Sequence, residues 1–415
     1  MITQDAFTKG QSLIDTILQK MIGLHVRRTK AIKEILMLFL SFRGRINFEQ
    51  MGRQGDLTEK SYRHHFEKLF DWMAFNKKLI SSKCSDELCI GFDPSYISKS
   101  GKHTPGLGYY FSGVSGSYKR GLEIGNLAVI DIKQNTAYHL KSTTTPTQVS
   151  RKQRKKEDPT LVDHYLNTIL ESKQELQKIS SILVVDGYFA KRKFIEGITN
   201  QSELEVICRF RDDANLRYLY NGKKKTGKGR PKKYDGKIDT KNIDKRRAKL
   251  VEQTAEYNTY EIVVRSVGLK MNVKLSYVEF LNQNGTVKMV KLFFSTNCQR
   301  SGSQILKYYR SRFQMEFIFR DAKQYCGLEN CQARSENKLD FHFNASLTSV
   351  NVAKMTLRFE TEITQPISYS INNLKVKLQN YKLIKRIFSI YGLDHKLIKI
   401  HNKYDQIINY GTIAA

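Results

Sequence analysis

The sequence lacks the features that would send it to a membrane, a secreted scaffold or a nucleotide-binding enzyme. No run reaches the ~18 uninterrupted apolar residues of a spanning helix. The N-terminal MITQDAFTKGQSL has no basic-then-apolar signal layout, so a cytoplasmic protein is expected. Cysteines are few, at 84, 89, 208, 298, 326 and 331, and their two C-x4-C pairs match no zinc spacing and have no nearby histidine. Reduced packing residues are expected there. No phosphate-cradling glycine loop opens a helix, which counts against a nucleotide-binding α/β enzyme.

Acid is also scarce. Against 70 Lys and Arg stand only 40 Asp and Glu, a formal charge of +30 in 415 residues. A surplus that size repels itself unless a polyanion neutralises it, which points to nucleic acid, with an anionic membrane surface as the rival reading. The 22 Phe and 22 Tyr supply the aromatic area that a folded core needs.

Residues 1-80 read as a helical domain, with apolar positions at Ile14, Ile17, Leu18, Met21, Ile35, Leu36, Phe39 and Leu40. Within it, Phe48 to Gly52, the turn Gln54-Gly55-Asp56, and Thr58 to Phe70 have a helix-turn-helix layout. Arg63, His64, His65 and Lys68 then lie on the second helix, and an ordinary helical hairpin is the alternative. From Leu88 to Asp213 the apolar runs CIGF, LAVI and ILVV read as buried strands, with helices over Asp163 to Lys178 and Ala190 to Ile198. That is an α/β arrangement. Residues 217 to 249 hold fourteen Lys or Arg against three Asp, with glycines at 222, 227 and 229, and read as an exposed basic loop. Val263 to Phe294 alternates like strands around Asn284-Gly285, a hairpin signal. Ser303 to Tyr325 reads as one helix stopping near Gly327, and helical character resumes to the end.

Asp93 and Asp186 each follow an apolar run, at the carboxyl ends of expected strands, where ligands of open α/β sheets gather. If the strands are neighbours, both carboxylates can reach one hard divalent cation. A strand-ending Asp is also a common helix N-cap. In KYYRSRFQMEFIFRDAKQYCG, Tyr309, Arg312, Glu316, Arg320 and Lys323 step by 3, 4, 4 and 3. On one helix they would share a stripe of roughly 80°. One acid flanked by cations and a hydroxyl suits phosphodiester chemistry. The alternative is a solvated face with Arg312 to Glu316 and Glu316 to Arg320 ion pairs, each worth about 0.3 to 0.5 kcal/mol.

The spacing of Tyr309, Arg312, Glu316 and Lys323 resembles the Y-R-E-K signature of insertion-sequence transposases with a DDE active site. GFDPSYISKSGKHTPG, LVVDGYFAKRKF, RFRDDANLRYL and GLENCQARSE look similar too, in the right order over roughly residues 88 to 345. The resemblance implies that Asp93, Asp186 and Glu316 are the catalytic, metal-binding residues and that Tyr309, Arg312 and Lys323 hold transposon-end phosphates, with Arg320 on the same face. It implies two Mg²⁺ ions, or Mn²⁺, about 3.5 to 4 Å apart. It also implies a ribonuclease-H-like mixed five-stranded sheet with helices on both faces, formed by 81-212 and 301-360 and interrupted by a mostly β insertion at 213-300. Such an enzyme acts on double-stranded DNA and is expected at the bacterial nucleoid: it binds terminal inverted repeats, cuts at the element's ends and joins the 3′-hydroxyl to target DNA, as a homodimer in the synaptic complex. A nuclease without strand transfer and a noncatalytic DNA-binding protein are the alternative readings.

Two further segments bear on DNA. Lys228-Gly229-Arg230-Pro231-Lys232-Lys233 resembles an AT-hook core, which would place Arg230 in the minor groove with Lys232 beside it; a nonspecific phosphate-binding loop is the alternative. The helical C-terminal region, 361-415, carries Leu374, Leu378, Leu383, Ile387, Ile390 and Leu393 among basic residues, an amphipathic pattern for pairing protomers or packing on a core.

Overall fold

The structure is a computed structural model that describes residues 4–42, 44–81, 83–147, 155, 158–222, 231–359, 370–392 and 406–413. Five helices come first: α1 (Gln4–Gln19), α2 (Val26–Ser41), α3 (Phe48–Gln54), α4 (Glu59–Glu67) and α5 (Trp72–Ser81). The expected helix pair appears as α3 and α4. Asn47 caps α3 by accepting the Gln50 N–H, and Thr58 caps α4 by accepting that of Ser61.

Strands β1 (Leu88–Ser98), β2 (Gly108–Ser112), β3 (Ser117–Asp131) and β4 (Thr136–Thr144) follow. Then come α6 (Leu161–Glu171), α7 (Lys173–Gln177), β5 (Ile182–Val184), α8 (Arg192–Gln201) and β6 (Glu205–Arg209). The stretch expected as a basic loop is partly strand, with β7 (Leu216–Leu219) paired antiparallel to β8 (Tyr234–Lys237). Its acids are held locally: Asp235 pairs with Lys232 and Arg247, and Asp244 with Arg246. The β-rich block continues as β9 (Lys249–Gln253), β10 (Tyr257–Ser266), β11 (Met271–Leu281) and β12 (Val287–Ser295). Gly285, at φ +77°, turns β11 into β12 as Asn284-Gly285 foretold. Helices α9 (Gly302–Ser311), α10 (Gln314–Tyr325), α11 (Glu336–Arg358) and α12 (Ile371–Tyr391) follow.

Two compact units result. One comprises Met1–Asp86, Pro94–Gln148 and Met315–Ala415; the other comprises Glu87–Asp93 and Val149–Gln314. In the second, β1, β5 and β6 run parallel, and β12, β11, β10, β7 and β8 extend the sheet antiparallel, with β9 on β10. The result is a mixed α/β fold with α9 packed on β6 and β9 to β12, and α8 packed on α6 and β6.

The first unit is centred on α11, buried along nearly its whole length. Among the described residues strand β4 pairs only with β3, so its outer edge needs partners. Asparagines on α11 supply them. Asn344 Oδ1 accepts the Ser142 N–H at 2.8 Å and its Nδ2 donates to the Ser142 carbonyl at 3.1 Å. Asn351 does the same for His139, at 2.9 and 2.7 Å. Seven helical residues rise ~10.5 Å and three strand residues ~10 Å, so the two spacings match. A β-bulge that passes over Leu140 turns both His139 and Ser142 outward, and Asn76 Nδ2 takes the Leu140 carbonyl at 3.1 Å.

All six cysteines are free thiols, four of them buried. In α12 the expected apolar face divides: Leu374 and Leu378 are buried, whereas Leu383, Ile387 and Ile390 are exposed, and Leu393 lies outside the described residues. Among the described residues no helix is long and apolar enough to cross a membrane.

Candidate active site

In the second unit, β1 and β5 are parallel neighbours in the register Ile90 with Leu183 and Gly91 with Val184, a constant offset of 93 residues. Asp186 follows Asp93 by the same 93 residues, so continuing the register two residues sets the two aspartates level. The expectation that each ends its strand is corrected for Asp93: β1 runs on through it to Ser98, whereas Asp186 lies just past the end of β5. Paired positions of parallel strands face one way, about 4.8 Å apart. The extended backbone persists to Asp186, because Val185 N–H donates to Ile207 at 3.1 Å and Asp186 itself has φ −77° and ψ 173°.

Asp186 is also the N-cap of the short 3₁₀ turn Gly187–Phe189, its Oδ1 accepting the Tyr188 N–H at 2.9 Å. The capping role weighed in the sequence is therefore real, and it fixes the carboxylate's orientation. From below, the Cys208 thiol donates to the Asp186 carbonyl at 3.0 Å, and burial pushes that thiol's pKa well up, so it stays protonated.

Arg312 faces Asp93, with Nη1 3.5 Å from Oδ2 and both side chains only 16 % exposed. Tyr309, one turn earlier, lays its ring on Phe293 at a centroid distance of 4.6 Å. Burial pushes its phenol up to about 12, with Asp186 adding to the rise and Arg312 and Arg209 opposing it. At neutral pH it is a hydrogen-bond donor set among charges of both signs.

The expectation of one helix over Ser303 to Tyr325 is corrected. The chain breaks between α9 and α10, and the stripe of five residues is divided. Ser311 explains the break: its hydroxyl donates to the Tyr308 carbonyl at 2.7 Å, the acceptor that Arg312 N–H would use in an α-helix. Arg312 N–H turns instead to Tyr309 at 3.2 Å, and Phe313 N–H to Arg310 at 3.2 Å, both i to i−3 bonds. Tyr309 and Arg312 thus belong to the second unit with the aspartates, and Glu316, Arg320 and Lys323 to the first.

There Glu316 is exposed in the first turn of α10, where the helix dipole favours a carboxylate. Arg320, expected to turn to phosphate or to Glu316, pairs with its own neighbour Asp321 at 2.9 Å and lies over Phe317. Lys323 is part-buried, which lowers its pKa; its Nζ donates to the Tyr96 carbonyl at 2.7 Å, tying α10 to the outer part of β1.

Cations around the aspartates went unread in the sequence. Lys191, whose pKa burial lowers while Asp186 opposes the shift, lies over the Tyr188 ring at 3.3 Å. Arg209, at the end of β6, acts on both Tyr309 and Cys208. Both residues fall in segments that carry the family resemblance, LVVDGYFAKRKF and RFRDDANLRYL, which was the available signal. Of the basic segment, Arg230 lies outside the described residues; Lys232 is exposed, bonds Asp235 at 2.7 Å and lies over the Tyr220 ring.

Among the described residues no group of three or more His, Cys, Asp or Glu side chains is arranged to hold a metal ion. The level aspartate pair still has the donor chemistry of a hard divalent cation, since Mg²⁺ is commonly bound by one or two carboxylates with waters and substrate phosphate completing the shell.

Comparison with known proteins bears on this arrangement. No curated protein matched the chain. The family model "Transposase DDE domain" matches residues 118–352, a span that includes Asp186, Tyr309, Arg312, Glu316 and Lys323 and begins downstream of Asp93. That span is more than half of the 415 residues, and the chain therefore belongs to the DDE transposase family.

Proposed function

We propose that this chain is an insertion-sequence transposase of the Y-R-E-K type, with Asp93, Asp186 and Glu316 as its catalytic carboxylates on a ribonuclease-H-like core interrupted by the β-rich block. The observation that carries the reading is the parallel register of β1 and β5, which continued two residues sets Asp186 beside Asp93, inside a chain of the DDE family. Asp93 and Asp186, completed by Glu316, would hold two divalent ions, Mg²⁺ or Mn²⁺. Such ions supply Lewis-acid stabilisation to the phosphate and a bound water of lowered pKa.

The chain's own groups do the positioning. Arg312 neutralises charge beside Asp93 and offers a planar donor fork to a phosphate oxygen. Tyr309 donates its hydroxyl, since its raised pKa keeps the proton in place. Lys191 and Arg209 add positive potential around Asp186. Lys323 and Arg320 on α10 extend the contact along the DNA backbone. In α4, exposed Arg63 and His64 would face duplex DNA, and Arg230 and Lys232 would grip the transposon end. Two protomers would bring two ends together before the freed 3′-hydroxyl attacks target DNA.

The test is direct. Purified protein with Mg²⁺ and a fragment carrying the element's terminal inverted repeats should cut at the repeat boundary, and Glu316→Gln should bind the same fragment without cutting. Unchanged cutting by that variant refutes the assignment.

A further inference from the structure

In the first unit, strands β2 and β3 form a hairpin whose tip is Gly113-Val114-Ser115-Gly116, and its surface is unusual. Tyr109 is 71 % exposed, Phe111 53 % and Tyr118 71 %, while Val114 at the tip is 99 % exposed. The register puts Tyr109 opposite Arg120 and Phe111 opposite Tyr118, so these four side chains share one face. The rings of Phe111 and Tyr118 lie edge to face, 5.7 Å between centroids. The alternate residue Tyr110 is buried on the other face, its hydroxyl donating to the Gly106 carbonyl at 2.8 Å. The three aromatic rings are thus held outward by strand alternation and by an anchored tyrosine.

An aromatic face in water is costly unless something covers it. From Gly108 to Leu122 the segment contains Lys119 and Arg120 and no acidic residue, so its electrostatic complement is an anion. Aromatic rings beside a guanidinium form the surface on which nucleic-acid bases stack while the backbone is neutralised. Duplex DNA hides its base faces, so the rings can be used only where bases are unstacked. We propose that the β2–β3 hairpin is a stacking platform for unpaired bases of DNA, engaged when strands separate at a cut or frayed end. The proposal rests on the transposase reading for the source of such bases, but the binding surface stands on its own residues.

Fluorescence anisotropy with the full chain, a labelled single-stranded oligonucleotide of mixed sequence and its blunt duplex tests this. For Tyr109→Ala/Phe111→Ala/Tyr118→Ala, single-strand affinity should fall about tenfold for each ring removed. Duplex affinity should stay within about twofold. Tyr109→Phe/Tyr118→Phe keeps the rings and should retain single-strand binding, which also guards against a folding defect. Equal loss on both DNAs, no loss on the single strand, loss in the ring-retaining variant, or a shift from dimer to monomer in sedimentation with the alanine variant would each overturn the proposal. The last outcome would assign the face to a second copy of the chain. Failure of Glu316→Gln to abolish end cutting would refute the transposase reading and leave the hairpin result intact.

Discussion

The seam between α11 and β4 and the cluster around Asp93 and Asp186 both set polar groups in apolar surroundings, and they satisfy them differently. In the seam the amides of Asn344 and Asn351 are neutral, and each meets a backbone N–H and C=O at ordinary hydrogen-bond lengths. In the cluster the groups are charged, and the Arg312 to Asp93 contact at 3.5 Å is longer than a good hydrogen bond. The seam ties a strand edge to a helix for stability. The cluster sets a carboxylate beside a guanidinium, the donor chemistry that a cation and a phosphate would require. Variants should therefore separate cleanly into those that change stability and those that change chemistry.

The largest expected effect is chemical. Asp186→Asn should lower end cleavage by more than about a hundredfold, because second-shell metal partners alone are worth about 10 to 100. Its thermal unfolding should barely move, since the asparagine oxygen can still accept the Tyr188 N–H. A large loss of stability would mean that Asp186 is mainly a cap. Next in size is the seam: Asn351→Leu leaves the His139 N–H and C=O buried without partners, at about 1 to 3 kcal/mol each. Denaturant unfolding measures this, and cleavage per folded molecule should be unchanged. Arg312→Lys should cut cleavage by about tenfold or more while keeping the charge, because a lysine lacks the planar fork.

The smallest effect is a pH slope in the seam. Asp340, which accepts from Asn344 Nδ2 at 3.2 Å, has its carboxyl raised by burial to about 6 from 3.8, with Lys141 opposing. The folded state holds that proton longer than the unfolded chain, so this stabilisation is full below about pH 4 and is lost as pH rises toward 6. Asp340→Asn should flatten unfolding stability across that window, by on the order of 2 kcal/mol. An unaltered slope would remove Asp340 as its source.

Much of this was legible in the sequence, for reasons that differ by residue. The runs CIGF and ILVV marked the buried parts of β1 and β5, because fully buried strand segments are short apolar stretches, but β1 runs on past Asp93 to Ser98, where polar residues hide the continuation. Their parallel pairing, which brings Asp93 level with Asp186, is a long-range contact that no local pattern encodes. The interruption at Arg312 and Phe313 was invisible for another reason: neither Pro nor Gly marks it, and the side-chain bond from Ser311 to Tyr308 that competes with the helix has no signature in spacing. Lys191 and Arg209 were hidden because the turn after β5 and the end of β6, not periodicity, bring them to this site. The asparagine seam was read simply as helix, since Asn344 and Asn351 acquire meaning only once the free edge of β4 is known.

The central claim, that Glu316 joins the two level aspartates around bound metal, is tested most directly by replacing Mg²⁺ with Fe²⁺ and generating hydroxyl radicals from it, then mapping where the protein backbone is cut. The expected result is scission near Asp93, Asp186 and Glu316 together, suppressed at all three by excess Mg²⁺ and by Asp93→Asn. Scission near the aspartates with none near Glu316 would contradict it.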